Sequence, residues 1–207
     1  MGRVSDAKER LMEAVMDLIH CGSYGSTTID HICEKAGVKK GSFYYFFESK
    51  AELAIAAMDA EFERDRPELD ATFSPVVPPL ERISRLCRSS YEWQRELKEK
   101  YGCVLGCPLH SLGAEVSTQE PQLCAKINEI CGHYQKYLES AIRDAHLAGL
   151  IDAPDATMKA QMLFAYYEGL MTQARIQNDL SILREFEKGT MSFLGVKEAD
   201  MAAVLAK

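Results

Sequence analysis

The sequence predicts an all-α protein, for three reasons. Apolar residues recur at the spacing of a helix along almost all of the 207-residue chain. No run of alternating apolar and polar residues is bounded on both sides by turn residues, as a strand would be. Glycine and proline fall between the periodic segments, which is where helices end. With 47% hydrophobic and 27% charged residues, the chain is long enough to bury a core in one or two domains.

Three helices are predicted near the N-terminus. An apolar stripe begins at Leu11 and predicts a helix that ends near Cys21. Thr27, followed three residues later by Asp30, has the spacing of a capping box and predicts the start of a second, short helix. A tight turn at Gly37 then separates it from a third short helix, which we expect over residues 39–47.

A fourth, long helix is predicted to begin at a second capping box, formed by Ser49 and Glu52, and to end near Arg66. Four prolines then fall within thirteen residues, which is too dense for the interior of a helix. They are Pro67, Pro75, Pro78 and Pro79. We therefore expect residues 67–79 to form a connection.

The remaining residues predict further amphipathic helices, each bounded by glycine or proline. We expect them over residues 80–101, over a short segment that reaches Glu115, and over residues 120–148, 155–177 and 181–194. A weak tail to Lys207 follows. The whole chain therefore predicts about nine or ten helices.

The charge of the chain is unevenly distributed. The formal net charge is −7, so no overall positive field attracts the protein to nucleic acid. Residues 35–50, however, carry Lys35, Lys39, Lys40 and Lys50 against Glu48 alone, a net charge of +3, while residues 54–207 carry −6. If the protein binds DNA, this local positive segment is where it does so.

Two short helices joined by a glycine turn and braced by an earlier amphipathic helix are the layout of a DNA-binding helix-turn-helix. On the third helix, we expect Phe43, Phe46 and Phe47 to pack inward, because they lie three and four residues apart. The opposite face then carries small, basic and hydroxyl-bearing side chains. We expect DNA contacts from Lys39, Lys40, Gly41, Ser42, Tyr44 and Tyr45, with phosphate contacts from Thr27, Thr28 and Lys50.

Residues 28–53, TIDHICEKAGVKKGSFYYFFESKAEL, closely resemble the DNA-binding motif of the TetR family of transcriptional repressors. The resemblance implies that Lys40, Gly41 and Tyr44 contact bases. Among the remaining positions, it implies that Thr28, Ser42, Tyr45 and Lys50 contact phosphate. Two residues depart from the family pattern: Phe46 replaces the usual His, and Lys39 replaces the usual Ser. The operator sequence therefore cannot be transferred from a relative.

The same resemblance implies a domain organisation. Residues 5–53 would be the DNA-binding domain, with the helix-turn-helix over about 28–47. Residues 54–79 would be the connecting helix and proline-rich loop, and residues 80–207 the domain that binds a small inducer and dimerises. The expected partners are double-stranded, palindromic operator DNA, a small-molecule inducer or electrophile, and a second copy of the chain. The homodimer would form through the last two long helices, at about 155–177 and 181–194.

Candidate inducer-binding residues are aromatic and polar side chains at helical spacing in the C-terminal region, although each one alone also suits core packing or surface exposure. They are Trp93, His110, His133, Tyr137, Phe164, Tyr167 and Arg175. To these we add one thiol, Cys107.

Residues 106–116 resemble the Gly-Cys…Ala-Glu-Val segment of NemR-type repressors, which sense electrophiles and reactive chlorine. The resemblance implies that Cys107 is a sensing thiol, and a place near a helix start would lower its pKa. Those sensors pair the thiol with a lysine, but Arg175 stands at that position here and cannot readily form a sulfur–nitrogen link. A buried structural thiol is the alternative reading of Cys107.

Metal binding is a weaker alternative. Cys103, Cys107 and His110 are spaced along one helical face, but Gly106 and Pro108 interrupt a regular helix there. We therefore expect no metal site and no cofactor. The seven cysteines are odd in number and irregularly spaced, and are expected to be thiols, most of them buried.

Several function classes lack support in the sequence. No apolar run is long enough for a membrane span, and the charged N-terminal segment does not resemble a signal peptide, so we expect a cytoplasmic protein. No phosphate-binding loop, zinc-protease motif or nucleophile elbow is present, which argues against an enzyme. The alternative to a repressor is a helical small-molecule-binding protein, or an enzyme with an unmarked site, that does not bind DNA.

Overall fold

The computed structural model describes residues 2–197 and 201, and among these it contains ten α-helices and no strand, which confirms the all-α prediction. The helices are α1 (Gly2–Cys21), α2 (Ile29–Ala36), α3 (Lys40–Phe46), α4 (Lys50–Thr72), α5 (Pro79–Tyr101), α6 (Pro108–Val116), α7 (Pro121–Leu147), α8 (Ala156–Gln177), α9 (Ser181–Arg184) and α10 (Phe186–Leu194). Within this described part, no helix combines the length and the apolar character that crossing a membrane requires.

The start of α2 differs by one residue from the sequence prediction. Thr28, not Thr27, is the N-cap: its hydroxyl accepts a hydrogen bond from the N–H of His31 at 3.2 Å. Nδ1 of His31 accepts in return from the N–H of Thr28 at 3.5 Å, which completes the capping box. His31 was not predicted for this role because Glu and Gln are the usual residues at that position.

The predicted end of the fourth helix near Arg66 is wrong, since α4 continues to Thr72 with Pro67 inside it. Proline has no N–H to donate to the carbonyl of the residue four earlier, and its ring crowds that carbonyl. A helix can still pass through a proline, at a cost in stability. The prolines at 75, 78 and 79 lie in the connection that was predicted. A turn over residues 74–77 follows α4, and Pro79 is the first residue of α5.

The predicted helix over residues 181–194 is also divided in the structure. Glu185, with φ of −89° and ψ of 2°, separates the four-residue helix α9 from α10. Leu183 and Phe186 are buried on either side of this break, so both short helices are held by packing.

The chain forms two compact units. Among the described residues, the first consists of 2–65 and 107–130, and the second of 66–106, 131–197 and 201. The interior of the first unit contains large, fully buried side chains from six helices: Leu11, Ile32, Phe43, Leu53, Met58, Leu112 and Leu123. This interior fixes α2 and α3 against α1.

The larger of two apolar clusters in the second unit is formed by α5, α8, α10 and the C-terminal part of α7. A smaller cluster around Met171 and Leu183 adjoins Val104 in the segment that follows α5. Buried Arg82 holds the proline-rich loop: it donates to the carbonyls of Val77 and Pro75 at 2.7 and 3.2 Å and to Asp144 at 2.6 Å.

Candidate nucleic-acid interface

Helix α3 exposes one face and buries the other. Phe43 and Phe47 are buried, as predicted, whereas Phe46 is only half-buried. Tyr44 and Tyr45 expose 55% and 74% of their surface, which is unusual for aromatic side chains. The ring of Tyr44 packs edge-on against buried Phe43, with centroids 5.2 Å apart, and the ring of Tyr45 against half-buried Phe46, at 4.8 Å. The helix therefore presents two tyrosines to solvent.

Lysines frame the exposed face of α3. Lys39 is the exposed N-cap residue, and Nζ of Lys40 lies 2.8 Å from Oδ1 of Asp30 on α2. The hydrogen bond and charge of Asp30 raise the pKa of Lys40 above its usual value. Gly41 is exposed, and a Cβ built on it would meet nothing within 4 Å. The backbone here is open to close approach by a DNA groove.

The residues predicted to contact phosphate lie in different environments. Thr28 is exposed at the N-cap of α2 and Ser42 is half-exposed on α3. Thr27, in contrast, is buried, and its hydroxyl donates to the carbonyl of Ser23 at 2.7 Å. The structure thus groups Thr28 and Ser42 with the exposed face of α2 and α3, and places Thr27 beneath it.

Lys50 is engaged within the protein. Its Nζ donates to the carbonyls of Tyr24 and Thr27 at 2.6 and 2.7 Å and lies 3.9 Å from the centre of the Tyr24 ring. Burial lowers the pKa of Lys50, although the carboxylates of Glu115 and Glu120 oppose that effect. These contacts hold the turn between α1 and α2 from its carbonyl side.

The N–H groups of the same turn are held by a residue that sequence reasoning did not single out for it. The carboxylate of Glu115, near the end of α6, accepts from the N–H of Tyr24 at 2.9 Å and of Gly25 at 2.7 Å. Burial first, and then the carboxylate of Glu120, raises the pKa of Tyr24 to about 12. No sequence signal reveals this contact, because the partners are about ninety residues apart.

A surface pocket of about 620 Å³ adjoins this turn. Its walls are formed by the first residues of α4 and α7 and by the ring of Tyr24. The lining residues are Tyr24, Ser49, Lys50, Ala51, Glu120, Pro121 and Gln122.

Several predicted inducer-binding residues line the interior of the second unit. The hydroxyl of Tyr167 lies 3.2 Å from the hydroxyl of Ser90, and its ring stacks on Phe164 with ring centres 6.3 Å apart. Tyr137 donates to the carboxylate of Asp70 and lies 5.3 Å from the ring of Phe73. His133 is half-buried on α7, whereas Trp93 is exposed on α5. The structure therefore does not gather these residues into one group.

Arg175 supports the segment that precedes Cys107. Its Nη1 donates to the carbonyl of Leu105 at 2.8 Å. Buried Gln94 holds the next residue through both of its amide atoms, at 2.8 and 3.1 Å from the backbone of Gly106. Gly106 has φ of +67°, and a Cβ there would lie 3.2 Å from the carbonyl oxygen of Met171, so glycine is required.

Cys107 is the N-cap of α6. Its half-buried Sγ accepts a hydrogen bond from the N–H of His110 at 3.5 Å, and Pro108 occupies the first helical position. A thiolate at this position would gain from the same N–H and from the helix dipole. His110 itself is exposed.

All seven cysteines are thiols without a disulfide, as predicted, but most of them are not buried. Cys33 and Cys87 are buried, Cys21 is exposed, and the other four are half-buried. Within the described residues, no group of three or more His, Cys, Asp or Glu side chains is arranged to hold a metal ion.

Family comparisons agree with this architecture. Residues 11–57 match the family described as "Bacterial regulatory proteins, tetR family", and residues 79–189 match the "Tetracyclin repressor-like, C-terminal domain". The chain belongs to the TetR family. It is therefore a DNA-binding transcriptional regulator with an N-terminal helix-turn-helix and a C-terminal ligand-binding domain.

Individual TetR-type proteins resemble the chain over most of its length. The transcriptional regulator AcuR of Cereibacter sphaeroides is 27% identical over 179 residues, which cover 83% of this chain and 77% of AcuR. An uncharacterised HTH-type regulator of Lactococcus lactis is 25% identical over 179 residues, covering 86% of this chain and 88% of its own.

Solved structures confirm the TetR fold. A regulatory protein TetR from Rhodobacter sphaeroides superposes with a TM-score of 0.79 at 24% identity, covering 90% of this chain and 98% of its own. The reduced form of NemR from E. coli gives a TM-score of 0.78 at 20% identity, and the match covers 93% of this chain and 99% of NemR.

Proposed function

We propose that this TetR-family regulator is a repressor that reads a palindromic operator with the exposed face of α3 and the N-terminus of α2. The observation that carries the proposal is the exposure of Tyr44 and Tyr45 beside Lys40 on a helix whose other face is buried. Named repressors among its relatives, such as KstR of Mycolicibacterium smegmatis, support repression over activation.

Base contacts are assigned to Lys40, Gly41 and Tyr44. Lys40 exchanges Asp30 for a guanine edge when DNA binds, because both groups of the ion pair are exposed and the pair is weak in water. Gly41 lets the backbone approach the groove. Phosphate contacts are assigned to Lys39, Ser42, Tyr45 and Thr28 at the rim of the same surface.

The test of DNA reading uses a duplex selected from a random pool by the wild-type protein. Lys40→Ala is expected to lower affinity for that duplex and to reduce the salt slope by about one counterion. Lys136→Ala, which removes an equally exposed lysine from α7, is the matched control and should change neither quantity. An unchanged affinity and slope for Lys40→Ala would contradict the proposal.

We further propose that the operator is released by a small molecule or by modification of Cys107. The N-cap position of Cys107 supports thiol chemistry, because its Sγ already accepts an N–H hydrogen bond and lies at a helix start. A small apolar inducer that carries a hydroxyl or carbonyl would suit this region. The rings of Phe164 and Tyr167 would pack against its apolar part, and the hydroxyl of Ser90 would hydrogen-bond its polar group.

Cys107→Ser separates the two kinds of inducer. If Cys107 is the sensor, a quinone or hypochlorite releases the wild-type protein from its selected duplex but leaves the Ser variant bound. Cys103→Ser, another half-buried thiol, is the control and should still be released. Release of the Cys107→Ser variant by the same reagents would show that the inducer acts elsewhere.

Dimerisation is proposed through α8. Its exposed side carries a stripe that repeats every four and three residues and contains no charge: Met158, Met162, Ala165, Gly169, Thr172 and Ile176. Three of the eight exposed large hydrophobic residues of the described chain lie on it. This spacing is that of a helix–helix seam, and the small residues at its centre allow two copies of α8 to cross closely.

A further inference from the structure

The turn between α1 and α2 is held on both of its hydrogen-bonding sides. Lys50 donates to its carbonyls, and Glu115 accepts from the N–H groups of Tyr24 and Gly25. Thr28, the N-cap of α2, follows Gly25 by three residues. The conformation of this turn therefore determines where α2 begins and, with it, the position of Asp30, the partner of Lys40.

The two holding residues belong to different parts of the sequence. Lys50 lies within residues 11–57, which match the DNA-binding family, whereas Glu115 lies within residues 79–189, which match the C-terminal family. Glu115 is in the last turn of α6, and the first turn of that helix is capped by Cys107. One short helix thus joins the proposed sensing thiol to the backbone that leads into the DNA-reading helices.

We propose that Glu115 is a positioning residue for operator recognition. Its carboxylate fixes the turn that precedes α2 in the conformation that binds the operator. The inference rests on the proposed function and adds a residue outside the helix-turn-helix on which operator reading depends.

The chemistry of the contact requires a carboxylate. Two N–H groups converge on its two oxygens, and each oxygen accepts one hydrogen bond. A glutamine has the same shape but offers one acceptor oxygen and one NH₂ group, which would face an N–H donor. Glu115→Gln therefore removes at least one of the two hydrogen bonds while conserving the size of the side chain.

The contact can also be disturbed from the turn. A Cβ added at Gly25 would lie 3.1 Å from Oε1 of Glu115, closer than ordinary van der Waals contact. Gly25→Ala should therefore displace the carboxylate without changing any charge. Two chemically different substitutions are then expected to have the same effect.

The first measurement is hydrogen exchange of the Tyr24 and Gly25 amides in the full-length protein. Glu115→Gln and Gly25→Ala should each accelerate exchange about fivefold, as expected for the loss of a hydrogen bond of ordinary net strength. Amides in the interior of α7 serve as the internal reference and should be unaffected. Glu99→Gln, an exposed carboxylate on α5, is the charge-matched control and should leave exchange unchanged.

The second measurement is affinity for the duplex selected by the wild-type protein. Because a mobile turn must be ordered on binding, Glu115→Gln and Gly25→Ala should weaken binding about fivefold, and Glu99→Gln should not. Unchanged exchange, or faster exchange with unchanged affinity, would overturn the assignment of Glu115 alone. Failure of the wild-type protein to select any duplex would overturn the proposed function and this inference with it.

Discussion

At the scale of single residues, the structure separates the exposed lysines of the basic segment from one whose ammonium group is engaged within the fold. Lys50 was predicted to contact phosphate because it lies in the basic segment. Its Nζ instead reaches two backbone carbonyls and the face of Tyr24. Polarity in a sequence shows that a side chain has hydrogen-bonding groups, but it does not show which partners the fold brings to them.

Lys50→Met should therefore destabilise the protein more than it changes the electrostatics of DNA binding. Removing the ammonium group leaves the carbonyls of Tyr24 and Thr27 without this donor, at a cost of about 1 kcal/mol. Thermal unfolding should show a lower midpoint, while the salt slope of binding to the selected duplex stays at the wild-type value. A slope reduced by one counterion at an unchanged midpoint would instead indicate a phosphate contact.

The cysteines provide a second prediction at this scale. Burial raises the pKa of Cys87 to about 12 and that of Cys131 to about 11. At pH 8 the thiolate fraction is then about 1 in 10⁴ for Cys87 and about 1 in 10³ for Cys131. Since the thiolate is the reactive form, native protein treated with iodoacetamide should be labelled slowest at Cys87 and much faster at exposed Cys21.

Peptide mass spectrometry over time measures these rates, and labelling in guanidinium is the control in which all seven thiols should react alike. Raising the pH should accelerate labelling of Cys131, because its thiolate fraction increases throughout the range below its pKa. Rapid labelling of Cys87 in the folded protein would contradict its buried environment.

At the scale of helices, the periodicity of apolar residues predicted the elements, and their ends were less predictable. Helix ends at glycine were predictable from the sequence, because glycine readily adopts the positive φ that ends a helix, as at Gly37 and Gly102. Local rules failed at Pro67, where a helix continues through a proline, and at Glu185, where a helix stops without one. At Glu185, buried Leu183 and Phe186 lie on either side of the break, so packing there holds two short helices that local preference would join.

The candidate site shows the same division. The exposed face of α3 was predicted from spacing alone, because Phe43 and Phe47 fix which side is buried. Glu115 and Asp30 were missed as partners, since pairing across a fold leaves no trace in one sequence. The cap of α2 was predicted one residue too early for a related reason: a histidine supplies the second half of the box.

Arg82 illustrates an element held by one side chain. Its guanidinium is almost fully buried and donates to two carbonyls of the proline-rich loop and to Asp144. Arg82→Met should lower the free energy of unfolding by about 2 kcal/mol, because two loop carbonyls and the partly exposed Asp144 lose a charged donor. Guanidinium unfolding measures this loss. Arg95→Met is the control, since its ion pair with Glu92 is half exposed and should contribute less than about 1 kcal/mol.

At the scale of the whole molecule, the net charge of −7 divides into an acidic body and a small basic segment. In the structure, much of that positive charge already has a partner: Lys35 pairs with Asp17 and Lys40 with Asp30. Operator binding must therefore exchange carboxylates for DNA groups. In the proposed complex, base contacts at the specific site compensate for the lost ion pairs. On a nonspecific duplex only phosphate contacts form, so the same loss weakens nonspecific binding more.

Dimerisation should raise the affinity for the proposed palindromic operator, because the two linked reading surfaces bind its two half-sites together. Gly169 lies at the centre of the uncharged stripe on α8, and a Cβ there would meet nothing within 4 Å. Gly169→Arg should therefore leave the protomer folded and even favour the helix, since glycine is a poor helix former by about 1 kcal/mol. In a dimer built on this stripe, however, it would place two like charges in a closely packed crossing.

Sedimentation velocity should show the Gly169→Arg protein as a monomer with an unchanged far-ultraviolet dichroism spectrum. Its affinity for a palindromic duplex should fall by about 10² or more, while its affinity for a single half-site stays at the wild-type value, because only the linkage between the two reading surfaces is lost. Asn128→Arg adds the same charge to an exposed position of α7 and should remain dimeric. A dimeric Gly169→Arg protein would place the interface on another face of the molecule.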